Sequence, residues 1–192
     1  MTDTVAKRAQ DYIWEATRKS RILLFSGSVN ERSVRDACDR ILALEFDDAK
    51  KPITLVLNSP GGSVNDGYAL VDVLRFVQAP VRVVCTGLVA SMGISILIAV
   101  DKESRLSLPN ARFMLHQPRF GRAVIGSASD LEITAREIIK MKDKSNREVA
   151  DATGKALEDV ERDTKRDLWL SASEAIEYGL ISRIIQSINE LD

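Results

Sequence analysis

Twice in succession the chain runs from an apolar, β-branched stretch into a glycine turn and then into a helix, and few folds accommodate that grammar. Ile53 to Leu57 is a run of β-formers, expected to be a strand buried on both faces. Asn58-Ser59-Pro60-Gly61-Gly62-Ser63 follows as a turn, because proline fixes φ and paired glycines reach conformations other residues resist. A helix then runs through Leu70, Val73, Leu74 and Val77 to Pro80. The unit repeats with Val81 to Cys85 as strand, a turn opening at Gly87, and Ser91 to Val100 as an apolar helix buried on most sides. Two such units require right-handed crossovers and a largely parallel sheet, hence an α/β fold.

The remaining segments fit around that sheet. Residues 3 to 19 read as a polar amphipathic helix and Ile22 to Phe25 as a short buried strand broken by Gly27. Val34, Cys38, Ile41 and Leu42 share one helical face that ends before Lys50-Lys51-Pro52. Arg105 to Leu108 and Arg112 to Leu115 are expected as short strands around Pro109-Asn110, and Gln117 to Ser129 as a loop or ribbon. Leu131, Ala135, Ile138, Ile139, Met141 and Val149 lie in a long, highly charged helix reaching about Ala152, with Gly154 at its end. A helix of that length on a chain of 192 residues projects and needs a partner for its apolar stripe. Shorter helices are expected over 157–164 and 172–178, and a last strand over 181–185. No Pro-, Gly- or Ser-rich linker divides the chain, so 1–192 reads as a single domain, with 1–20 an amino-terminal helical segment.

Composition narrows the chemistry. Lys plus Arg number 27 and Asp plus Glu 28, a net charge of −1, so no bulk field recruits nucleic acid or an anionic membrane. No apolar run is long enough to span a bilayer, and Lys7, Arg8, Asp11 and Glu15 interrupt any signal-peptide core. A cytoplasmic location is therefore expected. Cys38 and Cys85 read as buried thiols. With a single histidine, His116, the multi-histidine zinc sites are excluded, and any imidazole chemistry must use that residue.

Strand ends feeding helices are where parallel sheets bind ligands, and both glycine turns belong there. Ser91 starts a helix, where free backbone N–H groups and the positive helix end would favour a nucleophile; the plain reading of a serine before a helix is a helix cap. His116 closes an apolar strand and reads either as a base or as a packed imidazole. Asp167 ends the charged run from Glu161, where a solvated helix end is the plain alternative. Together they supply one candidate for each part of a serine hydrolase: nucleophile, base, orienting carboxylate and oxyanion donors. The order Ser, His, Asp matches none of the chymotrypsin, subtilisin or α/β-hydrolase orders, and Gly87 to Gly93 is not a G-x-S-x-G elbow.

Several motifs stand out in order: Leu57-Asn58-Ser59-Pro60-Gly61-Gly62, Ala90-Ser91-Met92-Gly93, Leu108-Pro109-Asn110 leading to Met114-Leu115-His116-Gln117-Pro118, Ala135-Arg136-Glu137-Ile138, Glu161-Arg162-Asp163-Thr164 with Arg166-Asp167, and Ser171-Ala172 through Glu177-Tyr178-Gly179-Leu180. In this order they resemble the proteolytic subunit of the Clp protease family, from about Arg21 to Ile185. The resemblance implies a Clp/crotonase-type spiral of ββα units with a projecting handle, made of the loop and helix over about 117–152. It implies Ser91 as nucleophile, His116 as general base and acid, Asp167 as orienting carboxylate, and the Gly62 and Met92 amides as the oxyanion hole. It further implies a serine endopeptidase acting on unfolded polypeptide inside heptameric rings stacked as a tetradecamer, fed by an AAA+ unfoldase that uses the ATP. The peptidase itself would need no metal or organic cofactor.

Three departures from the family pattern stand out. The usual Ile-Pro and apolar pore-lining stretch is replaced by Met1-Thr2-Asp3-Thr4-Val5-Ala6 leading into a polar helix, which implies altered docking to an unfoldase. The ribbon from Arg119 to Ser129 is about two residues longer than the family norm, with Ser127 where a glutamine is common. Lys165 precedes Arg166 where many members carry an acid that pairs across the rings. These point to a divergent paralogue working with a second Clp proteolytic subunit. The competing readings are a weakly active or structural subunit of a mixed ring and, from the same spiral fold, a crotonase-like acyl-CoA enzyme.

Overall fold

A computed structural model describes residues 2–119 and 125–191; of the expected ribbon, 120–124 lie outside the described residues. The chain begins with α1 (Thr2–Ser20), then β1 (Ile22–Ser26), α2 (Glu31–Asp47), β2 (Ile53–Ser59), α3 (Val64–Phe76), β3 (Val81–Ala90) and α4 (Met92–Leu97). It continues through β4 (Arg105–Ser107), β5 (Arg112–Leu115), α5 (Ala128–Thr153), α6 (Leu157–Asp163), β6 (Leu168–Ser171), α7 (Ala172–Tyr178) and β7 (Arg183–Ile184). Strands β1, β2, β3, β4 and β7 neighbour one another in that order, all pairing parallel. The mixed α/β architecture with a mainly parallel sheet is the expected one. Strand β2 is buried on both faces, whereas β1 alternates, leaving Leu24 exposed at the sheet edge rather than buried.

The point that organises the site is Gly87. Sequence punctuation suggests a turn there, yet β3 runs straight through it to Ala90. Gly87 sits at φ +56°, and a Cβ at this position would lie 2.7 Å from the Asn58 side-chain oxygen. That oxygen instead accepts the Leu88 amide at 3.1 Å, carrying the strand past an irregularity in its register with β2. Beyond Gly87 the strand changes partner: residues 83–85 pair with β4, while Leu88, Val89 and Ala90 pair with Arg112, Phe113 and Met114 of β5. The two short strands around Pro109-Asn110 therefore belong to different parts of the sheet. β5 in turn pairs antiparallel with β6, a strand that the charged run before it conceals in the sequence.

The core packs α2, α3 and α4 against the sheet through residues such as Ile41, Leu44, Leu70, Ile96 and Leu97, all essentially unexposed. Every residue of α4 is buried, although the helix is shorter than the apolar run predicts. Both cysteines are free thiols, with Cys85 in the core, where burial pushes its pKa up. Arg21, only 7% exposed, donates to the carbonyls of Leu44, Asp48, Lys51 and Pro52, so one guanidinium ties the end of α2 to the start of β2. Helix α5 opens on a Ser127–Asp130 capping box and stops at Gly154, which adopts the left-handed conformation. Its buried residues, Asn146, Val149 and Ala150, all fall near its carboxyl end, while Leu131, Ile133 and Ile139 are exposed. Among the described residues the amino-terminal part of α5 thus carries an exposed apolar stripe.

Candidate active site

Ser91 sits between β3 and α4 with φ 55° and ψ −122°, outside the regions a non-glycine residue favours. Its amide donates to the Met114 carbonyl at 3.0 Å, fixing the residue against β5. The glycine turn closes the other side: a Cβ on Gly61 would lie 2.7 Å from Ser91 Cβ and 2.9 Å from the Met92 nitrogen. Gly62, at φ +153°, is pinned to Val29, whose carbonyl would be 2.2 Å from a Cβ there. Neither the Gly62 nor the Met92 amide donates to a protein acceptor among the described residues. Gly62 belongs to the turn that packs on Ser91 and Met92 follows Ser91 directly, so two uncommitted amides lie in the segments around the serine.

His116 follows β5, and the sheet register brings it to Ser91 and Asp167 at once. Ala90 is opposite Met114, so the next residues of β3 and β5 advance together toward the cavity that Ser91 and His116 both line. On the other side Leu115 is opposite Leu168, so one more antiparallel step sets His116 opposite Asp167. The Gln117 amide reinforces this edge by donating to the Thr164 carbonyl at 3.2 Å. The structure therefore brings all three sequence-predicted residues into one neighbourhood. It does not link them: His116 Nδ1 and Asp167 Oδ1 are 3.9 Å apart, beyond hydrogen-bond reach, and no hydrogen bond joins Ser91 to His116.

What holds Asp167 is Arg119, whose guanidinium pairs with the same Oδ1. Sequence reasoning missed this residue, although a basic side chain three positions beyond the only histidine was visible. His116 Nδ1 is left buried without a hydrogen-bond partner. Burial lowers the imidazole pKa, the Arg119 charge lowers it further, and Asp167 opposes both. Burial and the Arg119 charge thus favour the neutral imidazole, the form that can accept a proton.

The cavity beside Ser91 is walled by Val64, Tyr68, Met92, Leu115, Met141 and Val149, with Asn146 and Thr164 also contributing. Apolar walls therefore stand on one side of the Ser91 hydroxyl and the His116 imidazole. The Tyr68 hydroxyl donates to Glu148 at 2.8 Å, and the Lys144 ammonium stands 3.5 Å from the centre of the Tyr68 ring. Among the described residues no cluster of His, Cys, Asp or Glu could hold a metal ion, and no helix is long and apolar enough to cross a membrane.

Comparison with known proteins decides the family. The Clp protease family model matches residues 5–188. The chain belongs to that family. It is 46% identical over 170 residues to the ATP-dependent Clp protease proteolytic subunit 3 of Synechococcus sp. (strain CC9605), covering 88% of this chain and 84% of that one. It is 48% identical over 173 residues to the ATP-dependent Clp protease proteolytic subunit 2 of Gluconobacter oxydans (strain 621H), covering 89% and 76%. Among solved structures, a mutant form of ClpP1 from Listeria monocytogenes superposes with a TM-score of 0.85 at 40% identity, covering 94% of this chain and 99% of that one. The resemblance read from the motifs and the α/β fold expected from the paired strand–turn–helix units both hold at the level of the family.

Proposed function

We propose that this Clp protease family member is a serine endopeptidase in which Ser91 is the nucleophile, His116 the general base and acid, and Asp167 the carboxylate that orients His116. One observation carries the reading: a serine in a strained strand–helix junction shares a cavity with the chain's single histidine, and the β5–β6 register sets a carboxylate opposite that histidine. In the reaction, His116 accepts the Ser91 proton as Oγ attacks the peptide carbonyl. The Gly62 and Met92 amides then receive the oxyanion, and His116 returns the proton to the leaving amine. No metal or organic cofactor enters this chemistry.

The assembly reading follows from α5. Its exposed Leu131, Ile133 and Ile139 suit burial against a second ring, as in stacked heptamers forming a closed chamber. Unfolded polypeptide would be supplied by a Clp-type ATPase, in the cytoplasm. The separation between His116 and Asp167 favours the partner-dependent form of this reading, in which a second Clp proteolytic subunit draws the three residues together. The test is hydrolysis of a fluorogenic peptide by the pure protein, alone and mixed with a sister subunit. Turnover that rises on mixing and disappears with Ser91→Ala supports the proposal; equal, robust turnover alone removes the partner dependence. Activity retained by Ser91→Ala removes the peptidase assignment.

A further inference from the structure

The Asp167 carboxylate is contested. Its Oδ1 is paired with Arg119 and lies 3.9 Å from His116 Nδ1, which is buried and has no other acceptor among the described residues. In the tautomer the peptidase reading requires, Nδ1 carries the proton, and a buried N–H without an acceptor is costly, so His116 gains a hydrogen bond as soon as the carboxylate turns toward it. Arg119 opposes that turn with a charge-assisted bond to the same oxygen. Resting on the peptidase reading of Ser91, His116 and Asp167, we infer that Arg119 is a positioning residue that withholds Asp167 from His116, and so limits the rate at which Ser91 is acylated until the guanidinium is drawn off.

Two features make the contact suited to switching rather than to scaffolding. The side chains of Arg119 and Asp167 are 59% and 37% exposed, so the pair is held in solvent, is weakened by salt and can be displaced without opening the core. Its loss also acts on His116 twice in one direction. Removing the cation takes away a repulsion, and the freed carboxylate supplies an attraction, so the imidazole becomes more basic. The other charges on the elements around His116 are Lys165 and Arg166, which precede Asp167 on the way into β6, and Lys144 and Glu148 on α5, which both contact Tyr68.

The test measures phosphonylation of Ser91 by a fluorophosphonate, in which Oγ displaces fluoride, across the acid limb at low and high salt. It uses the full-length protein, Arg119→Gln and Arg119→Lys. Arg119→Gln is expected to label about two- to five-fold faster at low salt, the range an exposed ion pair can set. Its acid limb moves up toward an ordinary imidazole, and its rate no longer rises with salt as the wild type's does. Arg119→Lys, which keeps the charge, retains the lower acid limb. An Arg119→Gln protein with an unchanged or slower rate and an unmoved acid limb overturns the inference while leaving the peptidase assignment standing, provided the wild type labels at Ser91. If no form labels, the assignment itself fails and the inference with it.

Discussion

The two ends of the candidate triad are built differently. Ser91 is locked by the β5 carbonyl of Met114, by Gly61, where there is no room for a Cβ beside it, and by the wholly buried α4. Asp167 stands at the mouth of a four-residue strand, more than a third exposed, and bonds to a surface arginine instead of to the histidine. The nucleophile is held by packing, which is not readily rearranged, and the acid by an ion pair, which is. Under the proposed reading, activity can be governed at the second end without disturbing the first.

That contrast sets the expected size of each effect. Ser91→Ala should reduce peptide hydrolysis by at least about 10⁴-fold with the thermal midpoint unchanged, read by kinetics and a melting curve on the same sample. Asp167→Asn should cost less than Ser91→Ala by roughly ten- to a hundred-fold, because an acid already detached in the resting state is not the sole source of rate. Losses of equal size would remove the distinction between the two ends.

A pair of glycines sharpens the rigid side. Gly61→Ala meets Ser91 Cβ at 2.7 Å and the left-handed penalty at φ +88°, so both stability and turnover should fall. Gly154→Ala, at φ +76° with nothing within 4 Å, should lose about 1 kcal/mol of stability and no activity. If both variants keep full turnover, the turn does not brace the nucleophile.

The smallest effect is in pH. His116 has its pKa lowered from 6.5 by burial first and Arg119 second, so the acid limb of kcat/KM should fall below that value. The same shift contributes to folding stability. The neutral ring is accommodated above the unfolded-state pKa, and stability is lost as pH falls through the folded one, because the charged ring is disfavoured in the fold. An acid limb above 6.5 would mean that Asp167, not Arg119, dominates the imidazole.

Much of this was legible in the residues. The strand–turn–helix repeat gave the parallel sheet, because β-branched runs and paired glycines leave little choice, and Gly154 marked the end of α5, whereas its start at Ala128, capped by Ser127, fell inside the stretch read as a loop. Strand β6 was hidden because Leu168 to Ser171 is short and follows a charged run whose default reading is a solvated helix end. Without that strand nothing local sets Asp167 opposite His116; the pairing was available only from resemblance. Gly87 misled for a related reason: a glycine at positive φ marks a turn by itself, and only the Asn58 side chain across the sheet converts it into a place where a strand changes partner. Arg119 was overlooked because its role depends on a long-range contact with a residue far along the chain.

The most direct measurement is identification of the residue modified when the purified protein, alone and mixed with a second Clp proteolytic subunit, is treated with a fluorophosphonate and mapped by peptide mass. The account predicts a single adduct, on Ser91, lost in His116→Ala. An adduct on any other residue, or undiminished labelling without the imidazole, would contradict it.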